Sequence, residues 1–158
     1  MREIKFRGKR LEKPKYQYMS PSGDPVWAVG CLIVDNDGRI YILNDHGGFR
    51  MSEEVIPETV GQFTGLKDRN GKEIYEGDIL QFDDTGEDGG YEYKEGYAFV
   101  NRAVVVFENG RFTLDDFLEV ESGVVEELDS HDELCSTMKH SEVIGNIYEN
   151  PSLLEVPK

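Results

Sequence analysis

His131, Cys135 and His140 form the tightest grouping of metal-ligand side chains in the chain. A structural zinc ion takes four such ligands in a tetrahedron, and catalytic zinc takes three plus an open position. Three possible ligands with no evident fourth, and no C-x-x-C pair, predict no zinc site. Asp35, Asp37 and Gly38 resemble the start of a calcium loop, but the glycine is misplaced and the bidentate glutamate is missing. No G-x-S-x-G elbow, P-loop, G-x-G-x-x-G turn or H-E-x-x-H pair is present. Carboxylates are abundant, yet acid–base catalysis needs two of them held in different environments. Here they lie in polar, glycine-rich sequence, where solvation is the ordinary reading. The expectation is a non-enzymatic protein with no catalytic, cofactor or metal residues.

Those carboxylates set the electrostatics. The chain of 158 residues has a formal net charge of −15. Asp83 to Glu95 holds six acids against Lys94, and Asp115 to Glu133 holds nine against no Lys or Arg, so these two stretches carry nearly all of the excess. The first 20 residues run the other way, with Arg2, Lys5, Arg7, Lys9, Arg10, Lys13 and Lys15 against Glu3 and Glu12. No apolar run approaches the 18 or more residues of a spanning helix, and MREIKFRGKR lacks the apolar segment of a signal peptide. A cytoplasmic chain off the membrane, with Cys31 and Cys135 as free thiols, is expected.

The elements that position these groups are short strands joined by tight turns. Val60 to Leu80 reads as a strand, an Asn70-Gly71 reversal suited to a type I′ turn, and a second strand. Glu76-Gly77-Asp78 makes the next turn, before Ile79 to Phe82. Arg2 to Arg7 alternates as a half-buried strand, and Gly8 to Gly23 reads as loop. Val26 to Val34 is a nearly continuous apolar strand, with a bulge or close approach at Gly30. Asn36-Asp37-Gly38 turns it into Arg39 to Leu43. Asn44 to Glu58 reads as a loop, Asp45 to Gly48, and a lead into the central hairpin. Asp83 to Gly96 reads as a long exposed loop. Tyr97 to Phe107 and Arg111 to Leu114 flank a third reversal at Asn109-Gly110. Asp115 to Met138 is the helical region, with Ser130 and Glu133 spaced as a capping box. Val143 to Tyr148 is a last strand, and Leu153-Leu154 docks on the sheet.

The sum is a mostly-β fold, a small barrel or sandwich of short antiparallel strands and Asn-Gly hairpins with at most one or two short helices. One domain spans 1–158, divisible into two packed β halves at about 58/59.

Val60-Gly61-Gln62-Phe63-Thr64-Gly65-Leu66-Lys67-Asp68, followed by Asn70-Gly71-Lys72-Glu73-Ile74-Tyr75-Glu76-Gly77-Asp78-Ile79, closely resembles the signature of the YopX family. Arg2 to Arg7 and Val143 to Pro151 match it too, so the resemblance spans the chain. It implies a mostly-β protein encoded by bacteriophages and prophages, of no established biochemical role, and it brings no catalytic residues. The signature positions are Gly61, Gly65, Asp68, Asn70, Gly71, Tyr75, Gly77 and Asp78. A turn-closing role is the ordinary reading of its acids.

Two functional readings follow. In the first, the acidic residues Asp115, Asp116, Glu119, Glu121, Glu126 and Glu127 engage a basic nucleic-acid-handling protein in the host cell. In the second, the basic N-terminal segment with Tyr16 and Tyr18 binds nucleic acid directly, which the overall charge opposes. The opposite charge of the basic N-terminal segment and the acidic stretches further along also predicts a homo-oligomer, the basic arm of one copy meeting the acidic loops of another.

Overall fold

The computed structural model describes residues 1–12, 24–46, 48–85, 98–120 and 122–156. Of the loop expected over 83–96, residues 86–96 lie outside these residues, as do Lys13, Lys15, Tyr16, Tyr18 and Glu121, while 83–85 are a correction, being strand, with Asp84 buried. The fold is mostly β. It contains β1 (Phe6–Lys9), β2 (Trp27–Val34), β3 (Ile40–His46), β4 (Phe49–Glu54), β5 (Gly61–Lys67), β6 (Glu73–Tyr75), β7 (Asp78–Thr85), β8 (Ala98–Glu108), β9 (Arg111–Asp115) and β10 (Glu142–Asn146). Two helices, α1 (Gly123–Glu127) and α2 (His131–His140), occupy the region expected to be helical. The loop expected at Asp45 to Gly48 is a correction: β3 runs on to His46, and β4 starts at Phe49 and takes up the first part of the expected lead into the central hairpin. Register with β3 supplies its ladder, from Tyr41 opposite Glu54 to His46 opposite Phe49.

The chain divides into two units, Met1–Gly65 and Leu66–Lys158. In the first unit the strands lie in the order β4-β3-β2-β1-β5, with antiparallel neighbours. The sheet curls back on itself. Arg10 bridges Val55, the Leu11 amide donates to the Glu54 carbonyl at 3.0 Å, and the Ile56 amide donates to the Lys9 carbonyl at 2.8 Å. Ala28, Ile42 and Val55 form the core inside this small barrel, with Phe6, Leu32, Ile40 and Val60 packed around them. The apolar run of β2 is buried only at its start, since Ile33 and Val34 are exposed. Gly30 is the close approach its position suggested: a Cβ there would stand 2.0 Å from the Leu43 carbonyl oxygen.

In the second unit the sheet runs β10-β7-β8-β9, again antiparallel. Leu80, Phe82, Ala103, Val105 and Leu114 pack there against Val124 of α1 and Leu134 and Met138 of α2. The Ser130 hydroxyl accepts the Glu133 amide at 3.4 Å, which starts α2 where the capping residues indicated. The tail also docks as expected: the Leu153 carbonyl accepts from Arg102 Nη1 at 3.0 Å. No helix of the described residues is long and apolar enough to cross a membrane.

Candidate interaction surface

The signature residues build turns. Asp68 Oδ1 accepts the amides of Asn70 at 2.8 Å and Lys72 at 2.9 Å, while the Gly71 amide reaches the Asp68 carbonyl at 3.0 Å. Only Gly71 of the Asn70-Gly71 pair has positive φ, at 81°. The reversal is therefore a longer loop with glycine in the left-handed position, not the two-residue type I′ turn its sequence suggested. That turn occurs instead at Asn109-Gly110, with φ of 51° and 80°. Asp68 is 6% exposed, and its Oδ2 accepts the Val143 amide of β10 at 2.9 Å. Burial alone would raise the carboxyl pKa. The amides of Val143, Lys72 and Asn70 and the Lys72 charge outweigh it and hold the group below its ordinary value.

Downstream, Asp78 Oδ2 accepts the Tyr75 amide at 2.8 Å, closing the turn through Gly77. Gly77 sits at φ 88°, against the Tyr148 ring. Tyr75 and Asp78 are both buried, Gly61 opens β5 as a buried residue, and Gly65 lies later in that strand.

The acidic segment after β9 has a more specific architecture. Asp115, Asp116 and Glu119 are exposed, and Val120 beside them is 81% exposed. Asp116 takes a φ of 53°, which breaks the strand. The chain then rejoins β8, where the Leu118 amide donates to the Arg102 carbonyl at 2.9 Å. Asn101, fully buried on β8, clasps Glu119 from both sides: its Oδ1 accepts the Glu119 amide and its Nδ2 donates to the Glu119 carbonyl, each at 2.9 Å. Asn101 Nδ2 also donates to Asp84 Oδ2 at 2.9 Å.

Asp84, 3% exposed, in turn accepts from the Ser122 hydroxyl and, at 3.4 Å, from the Val124 amide. The N-cap serine of α1 gives its hydroxyl to Asp84, and Asp84 takes over the capping of the helix from a neighbouring strand. The structure thus places Asp115, Asp116 and Glu119 on one anchored segment. Glu126 and Glu127 follow on α1 without described side chains, and Glu121 is outside the described residues. The anchors Asn101, Asp84 and Ser122 are not evident from acid counting. The signal for Asn101 is a single amide within the apolar run YAFVNRAVVVF.

At the basic N-terminus, Lys5 Nζ lies 4.7 Å from the centre of the Phe63 ring, and the Arg7 guanidinium lies 4.9 Å from that of Trp27. Arg10, with its side chain 2% exposed, donates from Nε to Glu53 at 2.8 Å and from Nη1 to the carbonyls of Asp24 and Trp27. Of the other described N-terminal cations, Arg2 is exposed and Lys9 is half-buried.

His131 and Cys135 stand together on α2, with His131 Nε2 3.7 Å from Cys135 Sγ. His140 is separate, its Nδ1 2.7 Å from the Ser136 carbonyl oxygen. His140 also lines, with Phe82, Asp83, Glu133, Ser136 and Thr137, an open groove of about 300 Å³. Among the described residues no group of three or more His, Cys, Asp or Glu side chains is arranged to hold a metal ion.

A family model described as YopX protein matches residues 5–155. Among solved structures, the chain is similar to the crystal structure of protein EF1440 from Enterococcus faecalis. The two are 24% identical over 98% of this chain and 100% of that one, with a TM-score of 0.49. None of the curated proteins matches.

Proposed function

For a chain that belongs to the YopX family, we propose a non-enzymatic binding role in the cytoplasm of a bacterium carrying the phage or prophage that encodes it. The acidic segment beginning at Asp115 engages a basic protein that handles nucleic acid, its carboxylates standing where phosphates would. The observation that supports this is the two-sided clasp of Asn101 on the Glu119 backbone. Acids that served only to keep the chain soluble need no buried amide to hold their backbone in place. Here a fully buried side chain, backed by the buried Asp84, is committed to that purpose. Ordered backbone presents Asp115, Asp116 and Glu119 at a lower entropic cost on binding than a free loop would.

The test uses the basic, heparin-retained fraction of host lysate and the tagged full chain. A companion variant has Asp115, Asp116, Glu119, Glu121, Glu126 and Glu127 replaced by Asn or Gln. A protein retained by the natural chain, released by duplex DNA and by rising salt, and lost with the variant is the expected result. Retention indifferent to the six substitutions, or to competing DNA, contradicts the reading.

A further inference from the structure

Behind the acidic segment, one carboxylate oxygen holds a hydroxyl and a side-chain amide together. Asp84 Oδ2 accepts both the Ser122 hydroxyl and, at 2.9 Å, Asn101 Nδ2. All three residues are buried. The carbonyl end of the same amide is also engaged: Asn101 Oδ1 accepts two backbone amides, that of Arg102 at 2.8 Å and that of Glu119 at 2.9 Å. Two N–H groups converging on one carbonyl oxygen are the arrangement that stabilises the oxyanion of acyl transfer. A hydroxyl nucleophile with a base on it, donors at the acyl oxygen and a proton carrier beside the nitrogen thus surround a single amide. Their burial keeps away the water that would compete with the hydroxyl.

We propose that Ser122 and Asn101 become joined by an intramolecular ester, formed once per chain with Asp84 as the proton carrier. Asp84 takes the proton from Ser122 Oγ as that oxygen attacks Asn101 Cγ. The negative charge that develops on Oδ1 is met by the Arg102 and Glu119 amides. The tetrahedral carbon then expels Nδ2, which receives the proton from Asp84 and leaves as ammonia. One C–O bond forms, one C–N bond breaks, Asp84 is regenerated, and nothing is oxidised or reduced. Departure of the nitrogen gives up its bonds to Asp84 and to the Glu119 carbonyl, while both bonds to Oδ1 stay. The ester ties β8 covalently to the residue that precedes α1. The chain between them, with Asp115, Asp116 and Glu119, becomes a closed ring, whatever that segment binds.

The experiment is mass spectrometry of the intact, denatured full chain, followed by tryptic mapping. The expected mass lies one ammonia below that of the sequence, with the peptides that carry Asn101 and Ser122 recovered as one linked species. Mild alkali should separate them and leave aspartate in place of Asn101. Ser122→Ala, Asn101→Asp and Asp84→Asn should each have the full mass of their own sequence. The natural chain decides the matter by itself, so the test holds even where a buried variant fails to fold. The proposal is overturned by a natural chain that keeps its full mass after prolonged incubation, or by an ammonia loss that persists in Ser122→Ala. It is equally overturned if the loss maps to Asn70-Gly71 or Asn109-Gly110, where a succinimide forms within one peptide and links no second one.

Discussion

The Asp68 carboxylate accepts the backbone amide of Val143 at 2.9 Å, across 75 residues of sequence. Its other oxygen holds the Asn70 and Lys72 amides, so one side chain both shapes a hairpin turn and ties that turn to the edge strand β10. The Arg69 amide donates to the Ser141 carbonyl at 3.0 Å beside it. A buried amide that loses its acceptor bears the whole desolvation penalty. Asp68→Asn, which can still serve the turn but carries one acceptor oxygen in place of two, should lower unfolding free energy by about 2 kcal/mol, and Asp68→Ala by about 3. Urea titration reads both, and an unchanged midpoint would show that other contacts hold β10.

The same carboxylate sets an acid limit. Its pKa is lower in the folded chain than its ordinary 3.8, so the unfolded chain binds the proton more readily. Its stabilisation is fully present above the unfolded value and disappears as pH falls through the folded value. The stability gap between the natural chain and Asp68→Asn should therefore be constant near neutrality and narrow below about pH 4. A gap that widens with acid would reverse the sign and refute the assignment.

Two signature glycines should respond differently to a methyl group. Gly71 has φ 81° and open space around its missing Cβ, so Gly71→Ala should cost about 1 kcal/mol from backbone strain alone. At Gly77 the added Cβ also stands 3.0 Å from a Tyr148 ring carbon. Gly77→Ala should therefore cost about 2 kcal/mol or more. Equal melting temperatures for the two variants would contradict this ordering.

Arg10 and Glu53 form an ion pair with side chains 2% and 13% exposed, whereas Arg69 and Glu142 pair at 48% and 37%. Arg10→Met leaves a buried carboxylate behind and should destabilise by about 3–5 kcal/mol. Arg69→Met should cost under about 1 kcal/mol, despite its 2.6 Å contact, because water already solvates both partners. Denaturation midpoints of the pair of variants measure the contrast.

Asn101→Ala removes both bonds to the Glu119 backbone and one to Asp84. A loss of about 2–3 kcal/mol is expected, with hydrogen exchange of the Glu119 amide accelerated more than that of the Tyr75 amide, which Asp78 protects. Equal acceleration at both positions would mean that Asn101 supports the unit as a whole and not the acidic segment in particular.

The two turns Asp35-Asn36-Asp37-Gly38-Arg39 and Asp68-Arg69-Asn70-Gly71-Lys72 separate what is local from what is not. In each, the first aspartate accepts the amides two and four residues on, the glycine has positive φ, and its amide returns to the aspartate carbonyl. Their shared spelling was sufficient to mark both reversals, because the hydrogen bonds that close each of them lie within five residues. The α2 cap at Ser130 and the Asn109-Gly110 turn were legible for the same reason.

Strand β4 was not legible, since its polar residues gain a ladder only from β3. Nor was the closure of the first sheet through Arg10 and Val55. Composition showed that Asp115, Asp116 and Glu119 are acids in an acidic run, but their anchoring rests on Asn101, 18 residues away in sequence from Glu119. The sequence by itself determined the turns, the mostly-β character, the charge distribution and the family. Tertiary structure alone decided that Asp35 stays a partly exposed turn residue while Asp68 becomes a buried link to Val143. Local hydrogen bonds follow from neighbouring residues, whereas burial and the second partner of a carboxylate depend on which distant strand the fold brings beside it.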